Sequence, residues 1–226
     1  LLTSPLVKQV IEVVLAEKVA VVAFGAGNPV TYIPRFKQAG IKVMPVVSEV
    51  TMAVRLEQAG ADVIVAEGTE AGGEVGEITT MVLVPQVVDR VNIPVVAAGG
   101  ISDGRGLAAA LALGAQGVQM GTRFVCSDEC IAHPKYKQRI LKAHDRSTVV
   151  TGQTVGNTMR CLENKLTEQV LALEKAGATK QELNLFGQGR VYLGLIEGDV
   201  DDGWLLSGQV AGLIKEVKPV RVIIEE

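Results

Sequence analysis

Short apolar segments recur along the chain and alternate with longer amphipathic ones. Five continuous, valine-rich runs occupy residues 19–24, 42–47, 61–66, 93–98 and 117–120. Runs that are apolar throughout, without alternating polar residues, are typical of parallel strands that are covered on both faces. The segments between them carry apolar residues at helical spacing. This repeated strand–helix pattern predicts an α/β protein with a parallel sheet.

Five helices are predicted before and between these strands. A Ser-Pro pair at residues 4–5 is typical of an N-cap followed by proline in the first turn, and it predicts a helix that extends to about residue 17. An Asn-Pro pair at residues 28–29 gives the same signal for a helix that ends near residue 38. The remaining predicted helices are residues 49–58, 80–91 and 103–113.

A glycine stands between a predicted helix and the following strand at three places, Gly40, Gly60 and Gly114. Glycine is common just beyond a helix, where the chain adopts the left-handed conformation before it turns. These glycines are therefore interpreted as helix C-caps.

The chain beyond residue 123 is more polar and less regular. Its apolar spacing predicts helical structure in residues 126–146 and 162–176, a strand or loop at 151–156, and a loop at 187–203. Residues 205–216 are expected to form a final helix, although its two glycines each cost about 1 kcal/mol relative to alanine. The domains predicted from this change are a barrel part at 1–124, an inserted substrate or lid domain at 125–203, and a return helix at 204–226.

Composition narrows the possible partners and locations. Apolar residues make up 48% of the 226, so the chain can bury a core and disorder is not expected. A net charge of −3 without a basic stripe argues against nucleic acid as a partner. No apolar run is long enough for a membrane span, and the first residues do not have the pattern of a signal peptide. Three cysteines without a C-x-x-C pair are interpreted as free thiols in a cytoplasmic protein without zinc.

Two architectures could hold the five predicted strands, an open flavodoxin-like sheet or part of an eight-stranded (β/α)8 TIM barrel. Phosphate groups in such barrels bind at the loops that follow strands 7 and 8. The last two predicted strands end in Gly99-Gly100 and in Gly121-Thr122. We therefore predict that the five are barrel strands 4–8 and that three N-terminal units are missing from this sequence.

The loop at residues 99–104 is the first candidate for anion binding. It joins a strand end to a helix start, where free backbone N–H groups and the helix dipole favour a phosphate. A tight turn with Asp103 as the N-cap is the alternative. Gly121 and Thr122 strengthen the phosphate interpretation, and Thr122 adds a hydroxyl, which could instead be satisfied within the turn.

Three further positions are candidates for contact with a planar ring. Gly25 and Gly27 could let a ring lie against the backbone, or they could form an ordinary strand-to-helix turn. Glu67 ends a predicted strand and could point into a barrel mouth, or it could be solvated or ion-paired. Gln209 could bond the edge of a cofactor ring, whereas a helix-packing role for Gly208 is slightly favoured there.

Glu74 lies in a glycine-rich stretch between Gly73 and Gly76. It could act as a general acid or base if burial raised its pKa. Nearby helix N–H groups would instead depress the pKa and leave an anion, and simple exposure on a loop is a third possibility. His133, His144 and residues 135–139 are interpreted as a solvated helix surface.

Four runs of residues carry a resemblance to a known family, namely 66–73, 79–87, 93–101 and 118–124. Together they resemble the flavin-dependent enoyl-acyl-carrier-protein reductase II and its relatives, the nitronate monooxygenases. Further residues that resemble the reductase are found at 25–29, 133–137, 164–166, 198–200 and 208–209, so the likeness covers nearly the whole chain.

The resemblance implies an FMN-binding TIM barrel with a small inserted, mainly helical substrate domain, usually as a homodimer. It implies that NADH or NADPH reduces FMN, and that the reduced flavin then reduces the 2,3 double bond of an enoyl thioester on acyl carrier protein. In the monooxygenases the same cofactor oxidises alkyl nitronates with oxygen. A phosphosugar isomerase barrel is disfavoured, because the strand ends are alanine-rich rather than acidic.

The resemblance also assigns roles to residues of this sequence. Gly99, Gly100, Gly121 and Thr122 would hold the FMN phosphate, and Gly25 and Glu67 would flank the flavin. Gly72 and Gly73 would shape the pocket over its ring. Ala98, Met120 and Gln209 complete the predicted cofactor-binding set.

Two features depart from the family pattern. Glu74 stands where the family has a catalytic histidine, and a carboxylate could replace it only if its pKa rose by roughly 2 units. The N-terminal segment that would carry a Gly-Met flavin loop and an asparagine is absent from this sequence. A flavin-binding but catalytically silent protein is therefore the alternative to an active reductase or monooxygenase.

Overall fold

The structure is a computed structural model that describes residues 6–25 and 27–226. Its residues form two compact units. The first unit comprises the chain up to Thr69 together with Gly76–Ala98 and Leu107–Gln119. The second unit comprises Glu70–Val75, Gly99–Gly106 and Met120–Glu226.

The described residues contain eight strands: β1 (Val21–Phe24), β2 (Lys42–Val47), β3 (Ile64–Glu67), β4 (Gly73–Glu74), β5 (Val95–Ala98), β6 (Gly117–Gln119), β7 (Thr148–Thr151) and β8 (Met159–Leu162).

The same part of the chain contains eleven α-helices: α1 (Val7–Ala16), α2 (Ile33–Gln38), α3 (Val50–Gln58), α4 (Thr80–Val88), α5 (Gly104–Ala112), α6 (Thr122–Val125), α7 (Pro134–Leu141), α8 (Lys165–Lys175), α9 (Lys180–Gly187), α10 (Arg190–Tyr192) and α11 (Val220–Glu225). Two 3-10 helices (Gln153–Val155 and Gln209–Leu213) and a π-helix (Leu193–Glu197) complete the elements.

The first unit is built on a five-stranded parallel sheet in the order β1-β2-β3-β5-β6. Apart from β4, which belongs to the other sheet, each strand up to β6 pairs with the next one along the chain. An open flavodoxin-like sheet has the order 2-1-3-4-5 instead, with its first strand in the interior. The predicted α/β class and parallel sheet are confirmed, and the observed order excludes the flavodoxin-like alternative.

The continuous apolar runs have a direct structural cause. Ile64, Val65 and Ala66 of β3 are all buried, so side chains on both faces of this strand are covered. The neighbouring strand β5 also buries Ala97 and Ala98. A strand covered on both faces has no solvent-facing positions that would favour polar residues.

Helix starts and ends agree with the predictions in some places and differ in others. Gly40, Gly60 and Gly114 all have positive φ, as predicted for helix C-caps. The helix expected from residue 28 onward begins only at Ile33, because the Asn28 side chain accepts the N–H of Val30 and forms a turn. The Ser-Pro pair at residues 4–5 lies outside the described residues.

The second unit contains a three-stranded antiparallel sheet in the order β4-β8-β7. One apolar cluster collects around Tyr136 and Ile140 of α7 together with Leu162 and Leu205. A second cluster collects around Leu166 and Val170 of α8, and it also contains Cys161, Leu183 and Trp204. The sequence pattern did not predict β4 or β8, which are only two and four residues long.

Residues 190–197, within the predicted loop at 187–203, are helical, so the loop prediction was wrong for this part. Gly189 and Gly198, both with positive φ, flank α10 and the π-helix. Leu195, in the π-helix, and Val200, just after Gly198, pack against the first apolar cluster.

The long helix predicted at residues 205–216 was also wrong. The only helical residues there are the five of the 3-10 helix, and the final helix of the chain is α11. Gly208 and Gly212 account for the difference. A Cβ on Gly208 would stand 2.6 Å from the Glu70 carbonyl oxygen, and one on Gly212 would stand 3.1 Å from the backbone of His144. These glycines permit close contact between backbones rather than lowering the stability of a helix.

Three further observations concern the cysteines, membrane spans and metal ligands. Cys126, Cys130 and Cys161 are free thiols, as predicted, and burial raises the pKa of Cys126 to about 11 and that of Cys161 to about 12. In the described ranges, no helix has both the length and the apolar character of a membrane span. No group of three or more potential ligand side chains that could hold a metal ion is found there.

Candidate active site

The strand ends of the first unit carry three of the predicted cofactor-binding residues. Glu67 is the last residue of β3 and lies opposite Ala98, the last residue of β5. The Ala98 carbonyl oxygen accepts the N–H of Gly68 at 3.0 Å and the hydroxyl of Thr80 at 3.3 Å. Gly25 follows β1, and a Cβ there would meet no atom within 4 Å. Parallel strands therefore bring these positions to the carboxyl edge of one sheet.

The other predicted residues all lie in the second unit, where backbone contacts join them. The N–H of Gln209 donates to the Glu70 carbonyl oxygen at 2.9 Å. A Cβ on Gly72 would lie 2.6 Å from the Gly208 nitrogen. The loop at residues 70–73 is thus held directly against residues 207–209, which requires glycine at both contact points.

Thr122 is joined to the same segment through its side chain. Its Oγ1 accepts the N–H of Gly208 at 2.9 Å, and the residue is buried. One hydrogen-bonding position of the hydroxyl is therefore satisfied by a distant segment, and not within the turn as the alternative interpretation had it. A hydroxyl has a second lone pair and one donor hydrogen, so it can still bond a ligand.

Gly99 and Gly100 follow β5 with φ of 84° and 76°. Both are in the left-handed region, which glycine adopts without a steric penalty. A Cβ on Gly100 would lie 3.5 Å from the Cβ of Glu70, so this turn stands beside the loop at residues 70–73.

Asp103 caps the helix that follows, as predicted by the alternative in which residues 99–104 form a tight turn. Its Oδ1 accepts the N–H of Arg105 at 3.0 Å, and its carboxylate also accepts bonds from the Arg105 guanidinium. The Arg105 side chain is the largest influence that lowers the pKa of Asp103. The Asp103 carboxylate is thus already hydrogen-bonded within the protein. Its role as an N-cap is compatible with anion binding by the backbone N–H groups of the same turn.

Three amides at these strand ends are available to an anion. Among residues 6–25 and 27–226, no acceptor is found for the N–H groups of Gly100, Gly121 or Thr122. A Cβ on Gly121 would meet no atom within 4 Å, so there is space beside this amide. Free N–H groups next to open space can hold a phosphate. The residues present therefore fit the phosphate end of a flavin mononucleotide.

Glu74 lies at the edge of the three-stranded sheet, where it pairs with Met159 of β8. Its side chain is exposed. The acid or base hypothesis depended on burial, and the structure does not provide it.

Gly73, Met120 and Gln209 differ in solvent exposure and in the space beside them. Gly73 has φ of 85°, and a Cβ there would meet no atom within 4 Å. Met120 directly follows β6 and is half-buried, whereas the Gln209 side chain is exposed. Gly73 therefore leaves open space on its side of the loop, in contrast to Gly72.

The sequence interpretation missed Arg160. This residue of β8 pairs with Gly73 across the sheet and is only 7% exposed. Its guanidinium donates to the Thr148 hydroxyl at 3.2 Å, and it interacts electrostatically with Glu70. Burial lowers its pKa. The signal in the sequence was a single cation within an otherwise apolar run at residues 159–162.

Tyr136 was wrongly assigned to a solvated helix surface. It is 2% exposed, and its hydroxyl donates to the Leu206 carbonyl oxygen at 2.7 Å. Burial raises its pKa above the usual range for tyrosine. Tyr136 therefore joins α7 to the segment that contacts Gly72 and Thr122.

These loops and strand ends can be compared with known proteins. The sequence model of the family described as nitronate monooxygenase matches residues 3–226. The chain belongs to the nitronate monooxygenase family. Its relatives are flavin-dependent oxidoreductases, which agrees with the resemblance inferred from the motifs.

Three relatives show the extent of the similarity. A "probable nitronate monooxygenase" of Staphylococcus saprophyticus is 45% identical over 170 residues, which is 70% of this chain and 48% of the relative. The structure of FabK from Thermotoga maritima matches with a TM-score of 0.96 and 49% identity over 99% of this chain and 71% of that one. A nitroalkane oxidase from Streptomyces ansochromogenes matches with a TM-score of 0.81 and 30% identity over 95% of this chain and 65% of that one.

The chain thus spans about half the length of the staphylococcal relative. The structural match with FabK, which has the high TM-score, includes nearly every residue of the present chain. Similarity in fold therefore extends over 99% of this sequence.

Proposed function

We propose that the chain belongs to an FMN-dependent enoyl-acyl-carrier-protein reductase that uses NADH or NADPH. The observation that carries this proposal is the likeness to FabK, an enoyl-acyl-carrier-protein reductase II, at 49% identity over 99% of the chain. The substrate under this proposal is an enoyl thioester on acyl carrier protein, and the product is the saturated thioester.

A contact within the second unit supports the reductase. Two of the motifs that resemble the reductase, residues 164–166 and 198–200, bind each other. The Asn164 side-chain amide donates to the carbonyl oxygens of Val200 and Gly203, each at 2.9 Å, and its Oδ1 accepts the N–H of Thr167 at 3.1 Å. Asn164 thus caps α8 while it fixes the turn at residues 200–203, and both motifs are used in one structural feature.

The proposed FMN site uses the residues already described. The amides of Gly100, Gly121 and Thr122 would bind the phosphate together with Gly99. Gly25, Glu67, Ala98 and Met120 would contact the flavin or its chain, with Gly72, Gly73 and Gln209 forming the remaining wall. The flavin, when bound, supplies the electron transfer that no amino-acid side chain provides. This chain's own residues would bind it and orient it.

The finer architecture is also part of the proposal. The parallel sheet of the first unit corresponds to strands 4–8 of a TIM barrel, and residues 125–203 correspond to a substrate domain inserted after the last strand. The sequential order of its strands supports the barrel. We further propose that the complete protein is a homodimer.

Nitronate oxidation is the second candidate. The staphylococcal relative, 45% identical over 170 residues, is described as a probable nitronate monooxygenase, and this favours that reaction. A third candidate is a flavin-binding protein without turnover, which the exposed Glu74 at the position of the family's histidine favours.

The experiment that separates these candidates uses the full-length protein loaded with FMN. Oxidation of NADH or NADPH that depends on an enoyl thioester supports the reductase. Oxygen uptake with a nitroalkane and without nicotinamide supports the monooxygenase. Bound flavin with neither activity supports the silent protein and contradicts both enzymes.

A further inference from the structure

Helix α7 carries a concentration of positive charge on a chain that is negative overall. Residues 135–146 contain five lysines and arginines and a single acid, Asp145, whereas the whole chain has a net charge of −3. The helix buries Tyr136 and Ile140, and its opposite side exposes Lys135, Arg139 and, at the C-cap, Lys142. The charge is therefore collected on one solvent-facing surface.

The cations on this surface are not neutralised by carboxylates in contact with them. Within the described ranges, no salt bridge involves Lys135, Arg139 or Lys142. The guanidinium of Arg139 donates instead to the Glu163 carbonyl oxygen, and Lys135 interacts electrostatically with Asp199.

Some other exposed cations of the chain have such partners. The Arg35 guanidinium lies 2.9 Å from the Glu12 carboxylate, and Arg105 lies 2.7 Å from Asp103. Charges left without carboxylate partners on one helix face retain their attraction for an oppositely charged surface.

An apolar side chain lies beside these charges. The Lys215 ammonium donates to the Ala143 carbonyl oxygen at 2.8 Å, next to the end of α7. Leu213, two residues earlier, is 57% exposed, and the adjacent Gly212 is packed against the backbone of His144. We call Lys135, Arg139, Lys142, Lys215 and Leu213 the α7 surface. Protein interfaces combine an apolar centre with a polar, solvent-accessible rim.

The α7 surface stands behind the segment that contacts the proposed flavin site. Tyr136, on the buried side of the helix, donates to the Leu206 carbonyl oxygen, and Gly208 then bonds Thr122. An α-helix with its side chains is about 10 Å across, so the exposed face lies roughly that far from the Leu206 backbone. A partner bound there would be near the loops at which the thioester must react.

We propose that the α7 surface is the docking site for the acyl carrier protein. This inference rests on the proposed function, which requires a carrier that delivers the thioester. Acyl carrier proteins are small and acidic, and their charge is complementary to these cations. Charge complementarity at the edge of an interface mainly raises the association rate, and that contribution falls as salt rises.

The test uses full-length, FMN-loaded protein and two thioesters of the same acyl chain, one on acyl carrier protein and one on N-acetylcysteamine, which carries no charge. The double variant Lys135→Glu, Lys142→Glu is expected to lower the ratio of kcat/KM for the carrier-bound to the small thioester about tenfold or more. It should also flatten the decline of the carrier-bound rate with salt.

The matched control is Lys175→Glu, Lys180→Glu, which makes the same change in net charge on exposed residues of α8 and α9. It should leave the ratio near that of the wild type. An equal fall in both double variants would mean that overall charge, rather than the α7 surface, attracts the carrier, and this would overturn the inference. Enoyl-coenzyme A serves as a third substrate, and a selective loss there would assign the surface to the nucleotide instead.

Failure of the docking site and failure of the reductase give different results. If the wild type reduces neither thioester, the proposed function fails, and docking is then judged by direct titration of acyl carrier protein against wild type and variants. Salt-sensitive binding that only the α7 double variant loses supports the site. No binding by the wild type, or equal binding by both double variants, overturns it.

Discussion

The hydroxyl of Thr122 accepts the backbone N–H of Gly208 at 2.9 Å, although the two residues are 86 positions apart in the chain. The contact joins the loop after β6 to the segment that packs on Gly72. Both residues are buried, so a lost partner could not be replaced easily by water. The proposed phosphate site is thus held by a hydrogen bond that is independent of any ligand.

Replacement of Thr122 by valine is expected to destabilise the protein and to weaken FMN binding. The substitution keeps the shape of the side chain but leaves the buried Gly208 N–H without its acceptor, which costs about 1–3 kcal/mol. The midpoint of urea unfolding without flavin measures the first effect, and quenching of FMN fluorescence measures the second. Thr122→Ser keeps the hydroxyl and should behave like the wild type in unfolding. Equal stability of the valine variant would contradict the assigned bond.

Alanine at Gly72 should lower stability, whereas alanine at Gly121 should weaken FMN binding. A Cβ on Gly72 would stand 2.6 Å from the Gly208 nitrogen, so the backbone must shift, at a cost of about 1–3 kcal/mol. A Cβ on Gly121 would meet no atom within 4 Å, so the flavin-free protein should unfold at the wild-type denaturant concentration. The methyl group would instead occupy space proposed for the phosphate and weaken FMN binding about tenfold or more.

Urea unfolding without flavin and flavin titration of the two alanine variants provide the measurement. If Gly121→Ala bound FMN with wild-type affinity, the phosphate would have to lie elsewhere.

Much of the first unit could be predicted from the sequence, because the signals for its strands and helices lie in consecutive residues. The strand predicted at 42–47 is observed as β2 with the same limits, since a mostly apolar run between a helix C-cap glycine and the next helix indicates a parallel strand. Residues 205–216 could not be assigned in this way. Gly208 is there because of its contact with Glu70, which lies far away in the chain and leaves no periodic signal.

The same distinction applies to the candidate site. Glycines at strand ends are visible in a sequence because their position after an apolar run is itself the signal. Arg160 was missed because its importance comes from Gly73, its partner across the sheet, and from Glu70. Only the folded chain shows that this cation is buried beside the loop at residues 70–73.

The electrostatic interaction between Arg160 and Glu70 should be measurable in a double-mutant cycle. Arg160→Met and Glu70→Gln each remove one charge, and their combined effect on unfolding should fall short of the sum by about 1–2 kcal/mol. The exposed pair Arg221 and Glu225 is the matched control, for which a coupling of about 0.3–0.5 kcal/mol is expected. Urea unfolding of the four proteins in each cycle gives the values. Additive effects at Arg160 and Glu70 would show that the two charges do not interact.

Asp62 should make stability depend on pH under acidic conditions. Burial alone would raise its pKa, but bonds from Lys37, the Val43 amide and Lys42 together lower it from 3.8 to about 2. Because the folded-state pKa is the lower one, this contribution is complete above about pH 5 and is lost as the pH falls from about 4 to 2. The shift corresponds to at most about 2.5 kcal/mol, and solvent around both lysines should reduce this to about 1 kcal/mol.

Asp62→Asn should therefore unfold at lower urea than the wild type at pH 7, and the difference should narrow below pH 4. Asp89→Asn, at an exposed carboxylate, is the control. A difference that stays constant down to pH 2 would assign the effect to the amide itself rather than to the charge of Asp62.

Replacement of Glu74 by histidine tests whether this position transfers protons. The side chain is exposed, and an imidazole titrates near neutral pH without the burial that a carboxylate requires. General acid or base catalysis contributes about 10²–10⁴-fold, so Glu74→His is expected to raise kcat for an enoyl thioester by at least about tenfold. Stopped-flow and steady-state rates on FMN-loaded protein, measured between pH 5 and 9, should show a new ionisation near pH 6–7 in the variant.

Glu74→Gln distinguishes the remaining possibilities, because it removes the ionisable group while it preserves the size of the side chain. A loss of about 10²-fold or more in this variant, without a gain from histidine, would assign proton transfer to the carboxylate despite its exposure. If neither substitution altered kcat, proton transfer would have to come from another group, and the position would have lost the role that the family's histidine has.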